Sequence, residues 1–125
     1  MGTILKDLEV AGDKGKARIR VLFDTGASRS LIRRDRAESI TTFLKAPIPL
    51  KFRLGDGKGT LDVEFSAVLF FTIKGYTFFH QCFIAEELAH EMILGADAMQ
   101  LCKIIPIPEL EDVRIDPTVL DLELV

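Results

Sequence analysis

The stretch VLFDTGASRSLI, residues 21–32, decides the fold of this chain. One apolar run ends at Asp24, the chain turns at Gly26, and a second apolar pair follows at residues 31–32. Aspartate, threonine and glycine all favour turns, so an ordinary turn after a strand explains Asp24-Thr25-Gly26 when it is taken alone. Other segments of the sequence are therefore needed to distinguish a plain turn from a functional carboxylate at the end of a buried strand.

Length and composition indicate a folded globular protein. We expect one domain over residues 1–125, and the 48% hydrophobic content with a mean hydropathy of +0.23 favours a packed core. A net charge of -3, from 16 basic and 19 acidic residues, gives no reason to expect nucleic acid as a partner. The longest apolar stretch, residues 67–73, is too short to span a bilayer, and the first ten residues lack an apolar signal region. We therefore expect a cytoplasmic protein with no membrane contact.

The sequence lacks the complete form of several motifs with known chemistry. Cys82 and Cys102 form no Cys-x-x-Cys pair and fit no metal spacing, so buried free thiols are predicted. His80 and His90 are interpreted as structural or solvated, since AHEMIL lacks the second histidine of a zinc protease motif. GDGKGT, residues 55–60, lacks the order of a phosphate-binding loop. The sequence thus predicts no metal and no other cofactor.

The hydrophobic pattern is mostly that of strands. Alternating or β-branched apolar runs predict strands at residues 3–10, 17–23, 48–54, 60–73 and 77–85. Helical spacing predicts a helical turn within residues 33–44, and MILGADAMQL, residues 92–101, reads as a strand entering a short helix at Gly95. Residues 113–125 alternate acidic and apolar positions and are predicted to supply one or two edge strands. The predicted fold class is mainly β with one or two short helices.

About seventy residues after Asp24, the segment MILGAD places a glycine behind a hydrophobic pair. With this segment, the chain resembles the retropepsin family, the retroviral-type, single-lobe aspartic proteases. Residues 22–28, 55–59 and 93–97 match the family's active-site loop, glycine-rich flap hairpin and hydrophobic-hydrophobic-glycine segment, in that order. The resemblance covers roughly residues 3–105 and is strongest toward cellular and microbial members. It implies a retropepsin-like half-barrel with a flap hairpin.

The resemblance also implies a role for each motif residue. Asp24 would be the catalytic carboxylate, Thr25 would form cross-subunit hydrogen bonds, and Gly26 would let the backbone approach closely. The other positions fall into three groups: substrate contact and loop support (Ala27, Ser28), packing beneath the loop (Leu94, Gly95), and a flap that binds substrate (Gly55, Asp56, Gly57, Lys58, Gly59).

The chemistry explains why one such motif implies a dimer. Peptide hydrolysis needs an activated water and an acid for the leaving amine, and two adjacent carboxylates that share one proton supply both; the aspartic-protease dyad is the standard example. This chain has one Asp-Thr-Gly and is too short for two lobes. A homodimer with a two-fold axis between two Asp24 residues is the simplest solution. We therefore predict an aspartic endopeptidase that cleaves extended peptides or unfolded proteins, and keep as alternative a non-catalytic retropepsin-fold dimerisation or peptide-binding module.

Two departures from the viral pattern and one cluster of arginines bear on that prediction. Ala96 stands where viral members usually carry an arginine that helps to join the subunits, and Asp97 follows it. The flap tip is charged, with Asp56 and Lys58, where viral flaps are apolar. Four arginines crowd after the active-site motif and predict a solvated face or a protein contact: Arg29, Arg33, Arg34 and Arg36.

Overall fold

The computed structural model describes residues 3–53 and 59–116. Within these residues the protein is mainly β, as predicted. The strands are β1 (Thr3–Gly12), β2 (Gly15–Asp24), β3 (Leu31–Arg33), β4 (Leu44–Arg53), β5 (Thr60–Ile73), β6 (Tyr76–Ala85), β7 (Met92–Leu94), β8 (Ile104–Ile107) and β9 (Asp112–Ile115). The helices are α1 (Arg34–Ala37) and α2 (Ala96–Leu101), and a 3-10 turn spans Pro108–Leu110.

Six of the strands close into a barrel. The main sheet runs in the order β1-β2-β7-β3-β6-β5-β4, and β1 pairs again with β5, where Glu9 lies opposite Thr72. This second pairing closes the barrel at residues 70–72 of β5, whereas β4 pairs with the earlier part of β5, residues 60–66. Closure removes two strand edges that would otherwise expose unpaired backbone groups. The active-site loop leaves this barrel at the end of β2.

The core fills the inside of the barrel. In β1 the buried residues Ile4, Leu8 and Val10 share one face, while Leu5 on the other face is 47% exposed. The largest fully buried side chains come from several strands and from the turn after α1: Phe23, Phe71, Ile19, Ile32, Ile40, Leu69, Ile73, Met92, Leu94, Val10, Val21 and Val63. Burial of an aliphatic or aromatic side chain of this size stabilises the fold by about 2 kcal/mol, so the barrel is a rigid frame for the loop.

The helical turn predicted within residues 33–44 is confirmed as α1, whereas the strand after it begins earlier than predicted. Helix α1 covers four residues, and β4 begins at Leu44, four residues before the predicted start of that strand. Pro47 and Pro49 lie inside β4, and its pairing with β5 shifts register between Lys45 and Leu50. Proline has no N–H to donate, so an irregular strand at the side of a sheet is where it is tolerated.

The C-terminal part of the described chain forms a second, small sheet. Strand β9 pairs with β8, from Ile104 opposite Ile115 to Ile107 opposite Asp112. The sequence pattern predicted β9 but not β8, and the rest of that predicted segment, residues 117–125, lies outside the described residues. Cys82 and Cys102 are free and buried, which confirms that prediction.

Candidate active site

Asp24 is the last residue of β2, and both neighbouring strands hold it in place. Thr3 of β1 lies opposite Asp24, and Phe23 pairs in parallel with Leu94 of β7. Phe23 is fully buried, whereas Asp24 is partly exposed. The buried strand therefore fixes the position of the carboxylate while its oxygens still reach solvent.

The loop after Asp24 is a turn built around that carboxylate. The Gly26 N–H donates to Asp24 Oδ1 at 2.9 Å, and the Ala27 N–H donates to the Asp24 carbonyl oxygen at 3.1 Å. Aspartate commonly accepts such a bond from the backbone two residues ahead. No described residue donates to Asp24 Oδ2. The turn thus orients the carboxylate through one oxygen and leaves the other available, so the turn and the functional interpretation are compatible.

Asp24 faces a pocket whose walls come from four parts of the chain. The active-site loop, β3, the end of β4 and the segment around β7 supply its lining: Asp24, Gly26, Ala27, Ser28, Arg29, Leu31, Phe52, Arg53, Leu88 and Ile93. Phe52 packs against Phe83 of β6, with ring centroids 4.9 Å apart. Among the described lining residues Asp24 is the one carboxylate, and the remaining wall is apolar except at its serine and two arginines.

Thr25 lies on a different surface from Asp24. It lines a groove with α2 and β8, whose members are Thr25, Ala96, Met99, Gln100, Lys103, Ile104, Ile105, Pro106 and Asp116. Consecutive residues of the motif therefore serve two surfaces: the pocket at Asp24 and the groove at Thr25.

Gly95 lies directly against the active-site loop. A Cβ atom at this position would be 2.6 Å from the Arg29 carbonyl oxygen and 2.7 Å from that of Ala27. The Ala96 N–H donates to the same Ala27 oxygen at 2.7 Å, and Leu94 is fully buried on the preceding strand. The segment predicted to lie beneath the loop therefore contacts it through backbone atoms, and no side chain fits at position 95.

Asp97 joins the loop to α2 and β6, and we call this arrangement the Asp97 brace. Its Oδ1 accepts from Ser30 Oγ at 2.7 Å and from the Ala98 N–H at 2.7 Å; its Oδ2 accepts from the Ser30 N–H at 3.1 Å and lies 3.0 Å from His80 Nε2. Ser30 Oγ in turn accepts from the Gly95 N–H at 3.0 Å. All donors around this carboxylate are satisfied, which fixes the far end of the active-site loop.

The surroundings keep Asp97 ionised. Burial by itself would raise the pKa of this carboxyl, but the hydrogen bonds from Ser30, His80 and the Ala98 N–H outweigh it and lower the pKa below its usual value. The side chain of Asp97 is 15% exposed and that of His80 is 13% exposed, so solvent competes weakly for these bonds.

We expect Asp97→Asn to destabilise the protein at pH 7, because an amide cannot accept from four donors. The cost should be about 2 kcal/mol of unfolding free energy. A folded-state pKa below the unfolded value means that the stabilisation is complete above about pH 4 and is lost as the pH falls through the folded pKa. The melting difference between wild type and Asp97→Asn should therefore shrink from pH 4 to pH 2. A difference that stays constant to pH 2 would show that the charge of Asp97 plays no part; the exposed Asp62→Asn is the matched control.

Most of the predicted flap lies outside the described residues. This applies to Gly55, Asp56, Gly57 and Lys58, while Gly59 is described just before β5. Strands β4 and β5 pair as far as Arg53 opposite Thr60. The pairing brings the two ends of the glycine-rich segment together, and the flap itself stays a prediction.

Three of the four clustered arginines are neutralised within the chain. Arg33 pairs with Asp35 at 2.7 Å, Arg34 with Glu86 at 2.6 Å and Arg36 with Glu91 at 3.3 Å. Arg29 differs, because it lines the pocket at Asp24. The four clustered arginines therefore have two roles: three form ion pairs within the chain, and Arg29 lines the pocket.

The sequence interpretation missed the brace and much of the pocket wall. Ser30, His80 and Asp97 are distant in sequence, and the one signal was Asp97 itself, which follows the Ala96 that stands in place of the viral arginine. Phe52 and Arg53 gave a weaker signal, since they lie shortly before the glycine-rich segment that begins at Gly55. Across residues 3–53 and 59–116, no three metal-ligating side chains cluster as a metal site, and no helix there is long and apolar enough to cross a membrane.

A closed barrel, an Asp-Thr-Gly loop at the end of β2 and a hydrophobic-glycine segment against that loop define the retropepsin-like class of aspartic proteases. The family model described as aspartyl protease matches residues 7–98, and the chain belongs to that family. A comparison with curated protein sequences gives no significant match.

Solved structures agree with this fold. The retroviral protease-like domain of Ddi1 from Leishmania major is 13% identical, with a TM-score of 0.64, and the match covers 93% of this chain and 90% of that one. The EIAV protease, solved with the inhibitor HBY-793, is 20% identical, with a TM-score of 0.54 and coverage of 77% and 84%. At these identities the similarity establishes the retropepsin-like fold.

Proposed function

We propose that this protein is an aspartic endopeptidase that works as a homodimer, with one Asp24 from each subunit. The observation that carries the proposal is the pocket at the end of β2, where a partly exposed and oriented Asp24 is the one carboxylate among the described lining residues. A single carboxylate supplies half of the acid-base pair that peptide hydrolysis needs. A second copy related by a two-fold axis would complete it.

The proposed reaction follows from two carboxylates that share one proton. The ionised Asp24 takes a proton from a water molecule, whose oxygen attacks the peptide carbonyl carbon. The protonated Asp24 of the other subunit gives its proton to the carbonyl oxygen, forming a tetrahedral diol. The diol then collapses. The Asp24 that took a proton from water gives it to the amide nitrogen, and the other Asp24 takes a proton from a diol hydroxyl. The C–N bond breaks, which releases the amine and the carboxylic acid and leaves one of the two carboxylates protonated, as at the start. The two carboxylates titrate as a pair throughout.

The groove at Thr25 supports the dimer. It lies beside the active-site loop, and part of its lining is apolar, from Met99, Ile105 and Pro106, with Ile105 37% exposed. A second copy that buries these side chains would gain roughly 25 cal/mol for each square ångström of apolar surface removed from water. Because Thr25 directly follows Asp24 in the chain, contact between the two grooves would bring the two Asp24 residues close together.

The experiment that tests the proposal measures casein hydrolysis while the enzyme is diluted, between about pH 3 and pH 7. The specific activity should fall on dilution, because the active site exists only in the dimer. Addition of excess Asp24→Asn chain to a fixed amount of wild type should lower activity further, since mixed dimers carry one carboxylate. Activity that neither dilution nor mixing changes would mean a monomeric site. No hydrolysis by a protein shown by sedimentation to be dimeric would favour the non-catalytic module.

A further inference from the structure

The pocket at Asp24 carries two cations that no carboxylate of the described chain neutralises. Arg29 and Arg53 both line it, and both are exposed. Arg29 donates from Nη1 to the Ser28 carbonyl oxygen at 3.1 Å, which leaves the rest of its guanidinium free. Neither arginine lies within ion-pair distance of a described acidic residue.

Four other arginines have carboxylate partners, whereas Arg18 and Arg114, which also lack an ion pair among the described residues, lie outside the pocket. Arg20 pairs with Asp7 at 3.0 Å, and the three arginines around α1 have carboxylate partners at 2.6 to 3.3 Å. The chain has more acidic than basic residues, 19 against 16, so partners are plentiful. An unpaired arginine at the mouth of a pocket is placed to bind a carboxylate from another molecule, because its fork of N–H donors matches that group.

The arginines stand at the edge of an apolar surface. Leu31, Phe52 and Ile93 line the same pocket and suit an apolar side chain. In an extended peptide, side chains two positions apart point to the same side, about 6.6 Å from each other. A peptide that places an apolar side chain in the pocket can therefore present an acidic side chain to an arginine at its rim.

We infer that the Asp24 cleft selects extended peptides in which a glutamate or aspartate lies within a few residues of an apolar residue at the cleavage site. The inference rests on the proposed function and adds its substrate class. Arg29 and Arg53 are the specificity-determining residues: they bind the acidic side chain and take no part in the acid-base chemistry of Asp24.

The test uses synthetic peptides with a central Leu-Phe pair. One glutamate is moved through the three positions on each side of the pair, and every peptide has a glutamine counterpart of the same shape. At the preferred position the wild type should cleave the glutamate peptide about tenfold more efficiently, which is the ratio that one charge-assisted hydrogen bond provides. The ratio should fall at high salt, because exposed charges are screened.

Three variants attribute the preference to the two arginines. Arg29→Glu and Arg53→Glu should each bring the ratio of glutamate to glutamine cleavage to one or below. Arg18→Glu, at an exposed arginine of β2 outside the pocket, should keep the wild-type ratio. The ratio is measured within each variant, so a change in the amount of folded protein does not affect it. A wild-type ratio near one at all six positions would overturn the inference and leave the proposed peptidase intact.

A binding measurement decides the inference if no peptide is cleaved. Fluorescein-labelled peptides of the same set are titrated with Asp24→Asn and followed by anisotropy. Tighter binding of a glutamate peptide, lost with Arg29→Glu or Arg53→Glu in the same background, would uphold the acidic preference even though the peptidase proposal had failed. Equal binding of the glutamate and glutamine peptides, or no binding of either, would overturn it.

Discussion

Asp24→Asn should abolish peptide hydrolysis, lowering casein cleavage by about a thousandfold at every pH from 3 to 7. In a homodimer this one substitution removes both carboxylates, so neither the proton acceptor for water nor the proton donor for the carbonyl oxygen remains. The fold should survive, because the turn depends on Asp24 Oδ1 and its backbone oxygen, and the asparagine side-chain oxygen can accept the same bond from the Gly26 N–H. We expect the melting temperature and the sedimentation coefficient to match those of the wild type.

The assay of wild type beside Asp24→Asn can contradict this prediction. Wild type and Asp24→Asn are purified side by side and assayed on the same casein, and equal residual activity in both would assign the hydrolysis to a contaminant. A variant that lost activity together with its native melting transition would show only that Asp24 holds the loop. Asp62→Asn, at an exposed carboxylate paired with Lys51, is the matched control and should keep full activity.

Gly95→Ala should produce the largest loss of stability among single-methyl changes near the site. The added carbon would meet the carbonyl oxygens of Arg29 and Ala27 at 2.6 and 2.7 Å, and both are backbone atoms that cannot rotate away. Forcing a methyl group into such a contact costs about 3 kcal/mol, which corresponds to a fall in melting temperature of roughly 10 °C for a chain of this size. Activity should fall as well, because the displaced loop begins at Asp24.

Gly15→Ala is the control for that experiment. The nearest atom to an added Cβ there is the Ser39 carbonyl oxygen, at 4.0 Å, so the methyl group has room. Its effect on the unfolding free energy should stay within about 0.5 kcal/mol. If thermal unfolding places the two variants at the same melting temperature, the close contact between Gly95 and the loop is not a source of stability.

The strands were predictable because their signal is local. Alternating apolar residues along β1 and β2, with the turn between them, predicted the first hairpin, and the structure pairs it from Thr3–Asp24 to Gly12–Gly15. Strand β8 was missed because four residues with a central proline carry little pattern of their own, and pairing with β9 stabilises it. The helical turn predicted within residues 33–44 formed as α1, because its spacing of apolar residues is also a local signal.

The active-site loop shows how far a motif reaches. The order Asp-Thr-Gly-Ala predicted a turn with an outward carboxylate, and the bond from the Gly26 N–H to Asp24 Oδ1 forms within three residues. The Asp97 brace joins Ser30 to a residue 67 positions later and to His80, 17 positions before Asp97. No local preference links such residues, and they meet because barrel closure puts α2 and β6 against the loop.

The sequence by itself determined the mainly-β class and the carboxylate at the end of β2, since these depend on neighbouring residues. Only the tertiary structure decided which side chains surround that carboxylate. It divided Asp24 and Thr25 between two surfaces, and it brought Arg29 and Arg53 to one pocket while the arginines around α1 found partners. The physical reason is that contacts between distant segments are set by how the whole barrel packs, and packing depends on every strand at once.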